Sequence, residues 1–133
     1  MAITDRNGLP VSIRIERASP AEVTLVDDTL DARFTTALPV RLLGDKAYDS
    51  DKLDAEMRER GIEMIVPNKT NRIKKTQDGR QLRRYKRRWK IERFFAWLNN
   101  YRRLITRFDM YSFNFRGFLE LACVIMLTRS FLR

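Results

Sequence analysis

The sequence predicts an α/β domain, a layered sheet with helices on its faces. Three observations carry this. Short apolar runs bounded by turn residues alternate with helix-length amphipathic segments as far as residue 66. A length of 133 residues suits one domain, residues 1–133, and leaves no room for two full cores. A hydrophobic fraction of 44% is ordinary for a packed protein and excludes a disordered tail.

Residues 5–17 read as a hairpin, with Asn7-Gly8 as the turn and Val11, Ile13 and Ile15 alternating with polar residues. Residues 1–4 are too few for a full first strand. Ser19-Pro20-Ala21-Glu22 opens a helix that runs to about residue 30 or 32: Ser as N-cap, Pro at the first helical position, Glu three residues after the cap. It buries Val23, Val26 and Leu30. Residues 39–44 form a short buried strand that ends at Asp45. The next helix is capped near Asp49 or Ser50, turns Leu53 and Met57 inward and stops at Gly61. Residues 62–66 make another strand, closed by Pro67.

Residues 68–80 are polar and basic, with Asp78-Gly79 as a turn signal, and read as a basic loop. A long basic helix follows over 81–106. A last helix covers roughly 114–132, with Cys123, Val124, Met126 and Leu127 as core and Phe108, Tyr111, Phe113, Phe115 and Phe118 packing it onto the sheet.

Composition narrows the chemistry. The chain has no His, which removes Ser-His-Asp hydrolysis, Cys-His proteolysis and His-ligated zinc. One Cys excludes an internal disulfide and a thiolate zinc cluster. Carboxylates remain, alone or with a hard metal. The first ten residues do not resemble a signal peptide, and the most apolar stretch, 118–127, is about half of a membrane span. A soluble cytoplasmic, nucleoid-associated protein with no membrane partner is expected.

A net charge of +10 points to a polyanionic partner. The charge is local: 15 of the 27 Lys and Arg residues fall between 69 and 107, with only 2 of the 17 acids. Aromatics are interleaved with it (Tyr85, Trp89, Phe94, Phe95, Trp97, Tyr101), the pattern of a nucleic-acid surface rather than of a solvated face. The expected DNA contacts are Lys69, Arg72, Lys74 and Lys75 in the loop and Arg83, Arg84, Tyr85, Lys86, Arg87, Arg88, Lys90, Asn99, Arg102 and Arg103 beyond it.

Two acids stand apart. Asp45 lies at the carboxyl end of an apolar strand, where ligands of open α/β sheets collect, and equally where a turn is capped. Glu92 is the only acid on the basic helix. At about 100° per residue, Tyr85, Arg88, Glu92 and Asn99 share one stripe about 60° wide. An i,i+4 ion pair from Arg88 to Glu92 is the plainer account, but it leaves the Tyr and Asn unexplained.

Tyr85-x2-Arg88-x3-Glu92 resembles the Tyr-Arg-Glu signature of bacterial insertion-sequence DDE transposases, particularly insertion-sequence family five. Gly44-Asp45-Lys46-Ala47-Tyr48-Asp49-Ser50 resembles the same family's segment around its second catalytic Asp, and Asn7-Gly8-Leu9-Pro10 its hairpin. The motifs occur in order over nearly the whole chain. The resemblance implies a ribonuclease H-like fold, a mixed sheet flanked by helices. It implies cutting and joining of insertion-sequence ends, with three carboxylates holding two Mg2+ (or Mn2+) ions about 3.5–4 Å apart. Asp45 would be the second metal ligand and Glu92 the third, with Tyr85 and Arg88 positioning DNA phosphate or the catalytic helix. The family's Lys seven residues after the Glu is Asn99 here, and Arg102 or Arg103 would replace its charge from another face.

The family's first catalytic Asp lies upstream of the hairpin. The resemblance therefore implies an N-terminally truncated domain: a second-frame product needing an upstream part, or a remnant. Such a chain alone would bind DNA without cutting it. Its partners would be insertion-sequence terminal inverted repeats and either a second copy or the N-terminal part of the transposase. Two competing readings are a non-catalytic basic DNA- or RNA-binding module and a regulatory fragment that pairs with a full-length transposase.

Overall fold

The computed structural model describes residues 1–17, 19–74 and 82–132. The chain opens with a hairpin, β1 (Ala2–Thr4) antiparallel to β2 (Pro10–Ile13), in the register Ala2 to Ile13 and Ile3 to Ser12. Residues 1–4 supply only a three-residue strand, and the connection from Asp5 to Leu9 is wider than a two-residue turn at Asn7-Gly8. Asp5 closes it: one carboxylate oxygen accepts from the amides of Asn7 and Leu9, each at 2.8 Å. Gly8 takes φ +84°, which a side chain resists.

A 3₁₀ turn (Glu22–Leu25) leads into α1 (Val26–Asp31). The helix starts later than Ser19-Pro20 implies. Ala21 occupies the cap position without a side-chain bond, and the Thr24 hydroxyl donates instead to the Ala21 carbonyl at 2.7 Å. Val26 and Leu30 are buried as expected and Val23 packs beside them.

β3 (Arg41–Leu43) passes through a 3₁₀ turn (Lys46–Tyr48) to α2 (Asp51–Glu59) and returns as β4 (Glu63–Ile65), parallel to β3. Ser50 is the N-cap of α2, accepting from the Leu53 amide at 3.4 Å. Leu53 and Met57 are buried, and Gly61 ends the segment at φ +74°.

Among the described residues the strands form two separate two-stranded ladders, β1-β2 and β3-β4, where one mixed sheet was expected. No described strand lies between β1 and β3, so each keeps one unpaired edge. The α/β character holds, and the continuous sheet does not.

Helix α3 (Leu82–Tyr85), a 3₁₀ turn (Lys86–Arg88) and α4 (Trp89–Leu98) follow, then α5 (Arg102–Ile105) and α6 (Ser112–Phe131). The single helix expected over 81–106 is therefore interrupted. Like charges four residues apart, Arg83 with Arg87 and Arg84 with Arg88, oppose regular α geometry at its start. At its end Asn99-Asn100 disfavours the helix, and Tyr101 leaves it at φ −100°, ψ 107°. Of the loop expected over 68–80, residues 75–80 lie outside the described residues, Lys75 among them.

Two cores result. One joins α1, α2 and β4 through Val26, Leu30, Leu53, Met57, Ile62, Met64 and Val66. The other joins the hairpin, α4 and α6 through Ile13, Phe94, Leu98, Ala122 and Cys123. Strand alternation in β1 serves both: Ile3 faces the first core and Ala2 the second. Val124, Phe113, Phe108 and Tyr111, expected as core or packing, are 56%, 68%, 70% and 59% exposed. A helix presents one stripe to one neighbour, and Ala122 and Cys123 take that place in α6.

Candidate active-site cleft and basic rim

Met1 to Thr4, with β1, and Arg41 to Gly44, with β3, line one cleft of about 1150 Å³. Asp45 and Glu92 both line it, as do Arg84, Arg87, Arg88 and Lys90. The two acids set apart by sequence reasoning, 47 positions from each other, thus meet the same space.

Asp45 follows β3 after Gly44. One of its carboxylate oxygens accepts from the Ala47 amide at 2.8 Å, making it the N-cap of the Lys46–Tyr48 turn. The capping role is real, and it occupies one oxygen of the two. Tyr48 lies alongside, its hydroxyl donating to Glu22 at 3.0 Å. Burial, and then the Glu22 carboxylate, push the Tyr48 phenol well above its ordinary value, so it stays a neutral donor.

Glu92 belongs to the first turn of α4 and is 62% exposed. Its stripe is partly retained. The Arg88 guanidinium donates to the Tyr85 hydroxyl at 2.8 Å and to Glu92 at 3.2 Å, and lies over the Tyr85 ring at 5.2 Å. Asn99 leaves the stripe: it follows α4 as its C-cap and lines a separate cavity of about 280 Å³.

The expected DNA contacts divide. Arg83, Arg84, Lys86, Arg87 and Arg102 are exposed, as are Lys69 and Lys74. Lys90 is engaged by the Arg6 carbonyl, as Arg93 is by that of Asn7 at 2.8 Å, so both tie the hairpin to α4. Arg103 stacks on Phe118 at 4.6 Å. Arg72 is held by Asp49 and Asp51, an arrangement sequence reasoning missed; only an acid-rich capping segment (Asp49, Ser50, Asp51) ahead of a basic loop hinted at it. Trp89, one of the aromatics interleaved with the charge, does reach the surface. It is 49% exposed, with Arg93 at 5.1 Å and Lys90 at 5.8 Å from its ring.

A two-metal centre needs more than this. Among the described residues no group of three or more Asp, Glu, Cys or His gathers where it could hold a metal ion. Asp45 is occupied in part by Ala47 and Glu92 by Arg88. Asp5, also on the cleft, is consumed by its turn. Two separate carboxylates do not fit a magnesium pair. No described helix is long and apolar enough to cross a membrane.

Residues 1–127 match a family model described as a transposase DDE domain. The chain is 31% identical over 132 residues to a Burkholderia cepacia protein named as a transposase for insertion sequence element IS402; the alignment covers 93% of this chain and 59% of that one. It is 28% identical over 128 residues to a protein of Brucella ovis (strain ATCC 25840 / 63/290 / NCTC 10512) named as a transposase for insertion sequence element IS6501, covering 96% and 95%. The chain thus spans less than two thirds of the first relative and nearly all of the second. No solved structure matches it.

Proposed function

The chain belongs to the transposase DDE domain family, and from that premise we propose that it is the DNA-holding part of a DDE-type DNA transposase, contributing two of the three catalytic acids. The observation that carries this is the placement of Asp45 and Glu92 on one cleft rimmed by Arg84, Arg87, Arg88 and Lys90. Both named relatives support it, as does the signature contact Tyr85–Arg88–Glu92.

The fold proposed is ribonuclease H-like. Its support is the element order, an antiparallel hairpin, a helix and then a parallel β-α-β unit. On this reading a further strand, supplied by an upstream part of the transposase, pairs with the free edges of β1 and β3 and brings the third carboxylate. Mg2+ or Mn2+ would then be held by three acids, and the substrate would be insertion-sequence ends.

The lack of a three-acid group among the described residues favours a second reading, a non-catalytic or regulatory DNA binder. Both readings require phosphate contact. Binding of a labelled duplex carrying an insertion-sequence end should weaken steeply between about 50 and 200 mM salt. Replacing exposed Arg84 and Arg87 together by Gln should lower the salt slope by about 1.8, near 0.9 for each phosphate no longer neutralised. An unchanged slope would overturn the proposed interface.

A further inference from the structure

Asp49 is the one buried carboxylate among the described residues, its side chain 3% exposed. It stands where the Lys46–Tyr48 turn begun by Asp45 ends, and its own amide donates to the Lys46 carbonyl at 3.3 Å. A charge so placed needs partners, and it takes them from the segment after β4. One carboxylate oxygen accepts from the Lys69 amide at 2.7 Å. The other pairs with the Arg72 guanidinium.

Arg72 is fully engaged in return. Its second terminal nitrogen pairs with Asp51, and its Nε donates to the Lys74 carbonyl at 2.8 Å. Its amide donates to the Lys69 carbonyl at 3.0 Å. Only 15% of the side chain is exposed. A guanidinium bridging two carboxylates uses its planar fork, which the point charge of a lysine does not reproduce.

The geometry points to Arg72 as a positioning residue rather than a DNA contact. It locks the segment that presents Lys69 and Lys74 to the turn that carries Asp45, so the loop cations and the first cleft acid move as one unit. This rests on the DNA-binding reading, in which the exposed Lys69 and Lys74 contact phosphate. The two roles for Arg72 make opposite predictions at Asp49. If Arg72 contacted phosphate, neutralising its acidic partner would free it and tighten DNA binding. If it positions the loop, the same change loosens the loop and weakens binding.

The test uses the whole chain, a labelled duplex and a salt series, with Arg72→Lys and Asp49→Asn. Each variant is expected to bind about tenfold more weakly, roughly 1.4 kcal/mol, although Arg72→Lys keeps the charge. Trypsin should cut after Lys69 faster in both. Wild-type affinity with an unchanged salt slope in Arg72→Lys, or tighter binding by Asp49→Asn, would overturn the proposal. If a melting curve shows that Asp49→Asn does not fold, Asp51→Asn replaces it, since that carboxylate is 81% exposed; weaker binding supports the clamp and tighter binding contradicts it. A wild-type chain without salt-dependent DNA affinity would contradict the DNA reading itself. Wild-type binding with an unmoved Arg72→Lys would contradict the clamp alone.

Discussion

Arg88 and Glu92 face each other one helical turn apart, guanidinium to carboxylate at 3.2 Å, with side chains 39% and 62% exposed. An ion pair so open to water contributes about 0.5 kcal/mol or less. Glu92→Gln should therefore leave the melting temperature within about 2 °C of wild type, taking roughly 4 °C per kcal/mol for a chain of this size. A larger fall in a thermal melt would show that Glu92 serves stability, and would weaken its assignment to the cleft chemistry.

Gly61 offers a cleaner backbone test. Its φ is +74° and nothing lies within 4 Å of where a Cβ would stand, so only the conformation resists a side chain. Gly61→Ala should cost about 1 kcal/mol, or about 4 °C in melting temperature. Equal stability would mean that the α2–β4 turn relaxes freely.

The Asp54 carboxyl is raised above its ordinary value by partial burial and by the charges of Asp49 and Asp51, against the opposing pull of Arg72. The folded chain therefore holds that proton more tightly than the unfolded chain. The stability it contributes is present at pH below the unfolded value and is lost as pH rises through the folded one. Asp54→Asn should raise the melting temperature at pH 7 and give no gain near pH 3. A loss at pH 7 would assign Asp54 a favourable contact instead.

Phe94 is fully buried where α4, α6 and the hairpin meet. Truncation to Ala should cost about 3–5 kcal/mol, a large share of a marginal stability. Because β1 feeds both cores, the loss is expected to spread: the chain should melt in one transition, at a lower temperature. Two separate transitions in calorimetry would show that the cores unfold independently.

Local turn chemistry made much of the fold legible. Asn7-Gly8 marked the hairpin, Ser50 the cap of α2, and Gly61 its end, because each acts on its own neighbours. The start of α1 was misplaced because Ser19 carries a cap signal that the chain does not use: Ala21 takes the cap position without a side-chain bond. The break at Asn99 was invisible to periodicity, which sums over a helix without weighing one weak link. Strand pairing is a long-range fact, so the separation of the two ladders had no local signal. The resemblance already joined Asp45 and Glu92 in one centre, and the fold puts both on one cleft, but only the fold diverts Arg72 to Asp49 and Lys90 to the hairpin.

The most direct test is a nicking assay with the purified chain, an insertion-sequence end and Mg2+. The chain should bind the duplex with a steep salt dependence and leave both strands intact, because two carboxylates do not make a two-metal site. Magnesium-dependent nicking that Asp45→Asn abolishes would contradict the account.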